Sequence, residues 1–214
     1  MRRHPIYRYG GIPLCIGLWL AGALGARADR ALLSPEGSTL PPDGVKAEFG
    51  INPSRSDQNL SWLQFTTSEG IEVELQRFDL LSFSKARTAL NVEYPLISDL
   101  GKIPAISLGV RDLLGTGDDH RAFYLAVTRT FPLSDRQLKV LREFKLNAGA
   151  GTGQIGGPFI SAQARFTAGF SLYAELYRRR PNFGLALPLA RNMQAKVFSL
   201  DGAVYYGLSF TWTH

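Results

Sequence analysis

The sequence predicts an all-β chain, a transmembrane antiparallel β-barrel of about twelve strands, on three observations. Apolar and polar residues alternate over many short segments, the period-2 signature of strands with two unlike faces. The polar faces mix full charges with glycines. A solvated outer face seldom favours glycine, which weakens a strand, whereas a narrow lumen takes small residues beside large ones. The last segment, AVYYGLSFTW, carries large apolar residues at every second position up to Trp212, where a soluble sheet would expose an edge.

The chain opens on an export signal. MRRHPIYRYGGIP holds Arg2, Arg3 and Arg8 and no acid, LCIGLWLAGALGA is an uncharged apolar run, and Ala26 and Ala28 supply the small residues of a cleavage site. These parts predict a secretory signal peptide over residues 1–28, cleaved after about Ala28. The apolar run is about a dozen residues, too short to span a bilayer as a helix. Cys15, the single cysteine, lies inside that run behind Leu14, where a lipid-attachment box calls for a small residue. The exported chain then has no cysteine, so no disulfide holds it.

The basic balance belongs mostly to this leader. Of 24 Lys+Arg, four lie in residues 1–28, which hold none of the 18 Asp+Glu; the remainder carries 20 against 18. That near-neutral balance gives no warrant for a nucleic-acid partner. Residues 29–44, DRALLSPEGSTLPPDG, are rich in Pro, Gly and Ser and read as a flexible lead-in.

From residue 45 to 214 the alternation runs almost unbroken. VKAEFGIN sets Val45, Ala47, Phe49 and Ile51 against Lys46, Glu48, Gly50 and Asn52. IEVELQ sets Ile71, Val73 and Leu75 against Glu72, Glu74 and Gln76, and LNVEY sets Leu90, Val92 and Tyr94 against Asn91 and Glu93. ISLGVR, FKLNAGAG, ISAQARF and FSLYAELY repeat the pattern, with Arg111, Lys145, Arg165 and Glu175 on the polar side. Turn signals lie between them: SEG, GTGDD, GTGQIGG, RRRPN and LDG. DRQLKVLREF (135–144) is the one short helix candidate. Residues 79–90 and 131–143 parse less clearly and leave a count of ten strands as the alternative to twelve. No domain boundary is visible. A soluble sandwich or ligand-binding barrel is the competing architecture. The closing strand favours the membrane barrel, whose last strand pairs with its first. Proteins of that class resemble this chain in a C-terminal strand ending on an aromatic, which acts as their insertion signal; Tyr206, Leu208, Phe210 and Trp212 match it here, with Thr213 and His214 trailing.

The candidate lumen-lining residues are Glu48, Glu72, Glu74, Glu93, Arg111, Lys145, Arg165 and Glu175. Mid-strand charges need a partner or water, so they read either as ion pairs that brace the barrel or as a hydrogen-bonding lining for a solute. GTGQIG (151–156) matches a dinucleotide fingerprint, but a strand follows it where that site needs a helix. Asp118, Asp119 and His120 read as a solvated turn, and no Ser–His pair suggests a hydrolase. Neither a catalytic residue, a metal site nor a cofactor is expected. Arg178, Arg179 and Arg180 form a basic loop tip, either a solvated turn or a site for phosphates of lipopolysaccharide or an acidic polysaccharide.

SLGVRDLLGTG, FYLAVTRTF, LNAGAGTGQIGGPFISAQARF and SLYAELYRRRPNFGLAL resemble the barrel of the YjbH-like outer-membrane proteins. The likeness covers roughly residues 90–212. The chain is much shorter than the long members, and Leu-Tyr follows Ala-Glu where the family more often has Tyr-Asp. The resemblance implies a non-catalytic accessory role in exopolysaccharide or capsule production or export. The expected partners are outer-membrane lipid, the barrel-assembly machinery through the C-terminal strand, and a polysaccharide with its export proteins. The alternative is a structural or small-solute barrel with an ion-paired lumen; a lipid-modifying enzyme is a third reading.

Overall fold

The computed structural model describes residues 32–55, 58–78, 87–98, 103–116, 121–133 and 139–213. The predicted signal peptide, Asp118, Asp119, His120 and His214 lie outside the described residues.

Twelve antiparallel strands close into one barrel, each paired with its sequence neighbours and β1 with β12. They are β1 (Val45–Ile51), β2 (Leu60–Thr66), β3 (Glu72–Phe78), β4 (Arg87–Ile97), β5 (Ala105–Arg111), β6 (Ala122–Pro132), β7 (Leu141–Gly151), β8 (Gly157–Phe166), β9 (Ser171–Tyr177), β10 (Arg180–Ala190), β11 (Met193–Leu200) and β12 (Ala203–Trp212). Closure follows the alternation of the two terminal strands: Val45 pairs with Trp212, Ala47 with Phe210 and Phe49 with Leu208, so like faces meet. No edge remains to be covered. An even strand count leaves Val45 and Trp212 at the same end, called here the terminal end; the opposite rim is the loop end.

The burial pattern is inside out for a soluble protein. Phe49, Leu75, Phe123, Ile160, Phe183 and Tyr206 are exposed on the outer face, while Lys46, Gln64, Gln76, Asn147 and Lys196 are buried in the bore. Pro95 and Pro188 sit where the pairing register shifts, near the terminal end of β4 and β10. A residue without an N–H breaks the ladder there, and a bulge absorbs it. The expected helix over 135–144 is not the structure's choice at its described end: Leu141–Phe144 begin β7, because pairing along β6 and β8 supplies backbone bonds that a short isolated helix lacks.

The bore is not uniformly polar. Leu60, Trp62, Phe159, Phe198, Leu200 and Tyr205 point inward and form one buried cluster with Leu32, Leu33 and Ile155. Glycines directly across on the adjacent strands make room for inward rings: Gly109 pairs with Tyr124 and Gly149 with Phe159. A Cβ on Gly109 would stand 2.1 Å from the Tyr124 ring, so only glycine lets that ring lie against β5.

Candidate functional site

Within the expected flexible lead-in, residues 32–40 are instead buried in the barrel. Pro41-Pro42-Asp43-Gly44 makes a turn, with Gly44 N–H donating to Pro41 C=O at 2.9 Å and Asp43 at φ 58°. Proline then a positive φ is the pattern of a type II turn. It reverses the chain from β1 into the bore at the terminal end, where Asp43 N–H donates to Thr66 C=O at 2.9 Å. From Leu40 back to Leu32 the segment climbs toward the loop end. Leu32, Leu33, Ser34, Glu36 and Leu40 are all buried. The reason is accounting. Buried backbone groups must find partners, and the wall supplies them.

Glu175 and Arg111 clasp the segment by its backbone. The Glu175 carboxylate accepts from Leu33 N–H at 2.9 Å, Ser34 N–H at 2.7 Å and the Ser34 hydroxyl at 2.7 Å. Asn182 steadies it from β10, donating through Nδ2 at 2.8 Å. Arg111 donates through Nη2 to the Leu33 carbonyl and through Nη1 to the Tyr177 hydroxyl at 3.0 Å. One residue, Leu33, is thus held at both backbone groups by opposite charges, the strong kind of hydrogen bond.

Lower in the bore the grip continues. Lys145 Nζ lies 2.7 Å from Glu36 Oε2, both side chains almost fully buried. Asn147 donates to Pro35 C=O at 2.8 Å, Ser107 Oγ to Glu36 C=O at 3.1 Å, and Gly37 N–H to Thr128 Oγ1 at 2.7 Å. A Cβ on Gly37 would meet the Ala105 carbonyl oxygen at 2.7 Å, so the segment lies flat on β5 and β6 only because that residue is glycine. Leu40 N–H donates to Glu72 Oε2 at 3.2 Å.

Two further groups of charges line the wall. Lys196 Nζ is 2.6 Å from Glu48 Oε2, and Lys46 Nζ 3.8 Å from the same oxygen. On β3 and β4, Glu72, Glu74 and Glu93 accept from Gln64 at 3.1 Å, Asn91 at 2.6 Å and the Tyr124 hydroxyl at 2.7 Å. These three acids, with Gln64, Arg111 and Glu36, surround a cavity of about 20 Å³, room for about one water molecule.

Of the residues singled out from the sequence, Glu48, Glu72, Glu74, Glu93, Arg111, Lys145 and Glu175 are buried on the inner wall, and Arg165 is half-buried on the inner side of β8 near the terminal end. Glu72, Arg111, Lys145 and Glu175 meet on the inserted segment; Glu48 pairs with Lys46 and Lys196. Arg178, Arg179 and Arg180 form a tip at the loop end. Gly153–Ile155 of the GTGQIG run make one 3-10 turn leading into β8. Sequence reasoning missed the segment 32–40 itself. Its signal was present: Leu32, Leu33 and Leu40 are apolar residues in an otherwise polar stretch, followed by a turn-forming PPDG directly before the first strand.

No protein-family model and no curated protein matches the chain. Among solved structures it is similar to a KdgM porin, with a TM-score of 0.51 and 11% identity over 80% of this chain and 99% of that one. It is likewise similar to a KdgM porin in complex with disordered oligogalacturonate, at TM-score 0.50 and 11% identity over 80% and 99%. A NanC porin structure aligns at TM-score 0.41 and 10% identity over 79% and 100%. At this identity the likeness concerns architecture: the chain has a closed, porin-like twelve-stranded β-barrel fold.

Proposed function

We propose that this protein is a non-catalytic outer-membrane barrel for small polar solutes, closed at rest by its own segment 32–40. The observation that carries the reading is the pairing of an apolar outer face with a bore whose hydrogen-bonding wall is occupied by that segment. A purely structural barrel could interlock its wall directly, without a separate segment in the bore. Lipid contact on the outside accounts for the exposed leucines and phenylalanines, and the terminal end then faces the periplasm with Trp212 at its interface.

The solute is neutral and polar: the wall buries Glu48, Glu72, Glu74, Glu93 and Glu175 beside Lys46, Arg111, Lys145 and Lys196, so both charge signs are set among hydrogen-bonding groups.

The test is liposome swelling with purified protein lacking residues 32–40, folded as judged by heat-modifiable gel mobility. Neutral sugars are expected to enter, and full-length protein is expected to admit them far more slowly. A fully soluble periplasmic chain would overturn the membrane reading altogether.

An accessory role in exopolysaccharide export is the second reading. It rests on the YjbH-like sequence run, and what favours it is the row of amide and hydroxyl groups (Ser107, Thr128, Asn147, Ser161) beneath the segment, suited to glycan hydroxyls. Loss of secreted polysaccharide on deleting the gene would support it.

A further inference from the structure

Arg129 interrupts the apolar outer face of β6. Its chain neighbours Thr128 and Thr130 are buried in the bore, so alternation turns Arg129 outward with Leu125, Val127 and Phe131. Across the ladder it pairs with Leu146 of β7. The residue is half-buried. Its guanidinium carbon lies 5.6 Å from the centre of the Phe131 ring, and Nη1 is shielded with no hydrogen-bond partner among the described residues. A charged donor without an acceptor on an apolar surface is costly, and one phenyl ring offsets only part of that cost.

The position of Arg129 identifies the missing acceptor. Two residues toward the terminal end, Phe131 pairs with Phe144, their ring centroids 6.4 Å apart. At the same end of the barrel Phe210 and Trp212 stack at 6.0 Å. Aromatic residues gathered at one end of a membrane barrel mark the boundary between hydrocarbon and headgroups. Past Phe144, Arg142 and Lys139 are exposed. Arg129 therefore stands just on the hydrocarbon side of that boundary. A long cationic side chain there turns its head to the interface. The acceptors at that level are lipid phosphates, whose oxygens a guanidinium fork engages two at a time.

We propose that Arg129 holds the phosphate of a glycerophospholipid in the leaflet at the terminal end, its acyl chains lying along the apolar face of β6 and β7. The Phe131 ring parks the guanidinium when no lipid is bound, and rotation of the flexible stem frees Nη1 for the phosphate. The site rests on the outer-membrane reading above and on none of its statements about the bore.

The test is lipid titration of full-length protein in detergent micelles, read by native mass spectrometry, with folding checked by heat-modifiable gel mobility. The probes are dioleoyl phosphatidylglycerol, dioleoylglycerol, which has the same chains and no phosphate, and soluble glycerol phosphate. Wild type is expected to take up the phospholipid about 10-fold more tightly than the diacylglycerol, a difference set by the phosphate alone. Arg129→Met keeps the apolar stem against Phe131 and is expected to bind the two lipids alike. Arg129→Lys keeps the charge and is expected to retain most of the preference, which a loss through misfolding would not allow. Equal preference in wild type and Arg129→Met, or no preference in wild type, would overturn the proposal. Displacement of the phospholipid from wild type by equimolar glycerol phosphate would overturn the lipid as the source. A chain that folds and enters membranes but shows no phosphate preference sinks this site alone, whereas a soluble chain sinks the membrane reading.

Discussion

Replacing Glu175 with alanine tests the clasp directly. Three donors of the inserted segment, Leu33 N–H, Ser34 N–H and Ser34 Oγ–H, converge on that carboxylate at 2.7–2.9 Å. Hydrogen bonds to a charged acceptor contribute about 1.5–3 kcal/mol each. Water entering the vacated space restores part of the loss, so a net weakening of roughly 3 kcal/mol is expected when one side chain is removed and the Lys145, Asn147 and Thr128 contacts remain. At 1.4 kcal/mol per decade, that raises the open fraction roughly 100-fold. The assay is single-channel recording in planar bilayers, with folding checked by heat-modifiable mobility. Wild type is expected to stay closed for long periods, Glu175→Ala to show frequent openings, and the chain lacking residues 32–40 to stay open. If the deletion conducts while Glu175→Ala is as quiet as wild type, the clasp does not hold the segment. If the folded deletion never conducts, the wall itself closes the bore and the gating idea is refuted.

Other outcomes follow from the same geometry. Ser34 Oγ and Ser161 Oγ are 3.2 Å apart; in a Glu175→Ala background, Ser34→Cys with Ser161→Cys is expected to silence the openings under oxidation and restore them with reductant, and openings that persist through verified crosslinking would show another route through the wall. Lys145→Met removes the ammonium 2.7 Å from Glu36 and is expected to cost about 3–5 kcal/mol of urea resistance, as breaking a buried pair does, with Glu36→Gln recovering most of it; an additive double mutant would contradict the pairing. Gly109→Ala places a Cβ 2.1 Å from the Tyr124 ring and is expected to lower barrel stability by about 1–3 kcal/mol, read as a lower temperature of heat-modifiable unfolding; an unchanged temperature would mean the ring is not seated there.

The barrel was legible because its evidence is local. Alternation along VKAEFGIN or SLYAELY depends only on neighbours two apart, and the matching faces of β1 and β12 made closure readable from the two ends of the strand region. Inward charges such as Arg111 and Glu175 could be assigned to a face for the same reason. Their partners could not. Glu175 meets Leu33 across a separation of 142 residues, and Arg111 reaches the same residue across 78. A polar lead-in rich in Pro and Gly has the composition of a flexible tether, and nothing in its own residues says that a barrel wall will satisfy its backbone. The apolar half of the bore was hidden too. Trp62, Phe159 and Tyr205 fall on the inward phase of their strands, yet aromatic residues occur on both phases, so composition alone did not mark the bore as packed.

By itself, then, the sequence determined strand periodicity, closure and the sign of the face each charge occupies, all set by backbone geometry that repeats every two residues. Only the tertiary structure decided what fills the bore. Once the sheet closes, its inward polar groups need partners, and the nearest chain able to supply them is the segment tethered at the terminal end by PPDG.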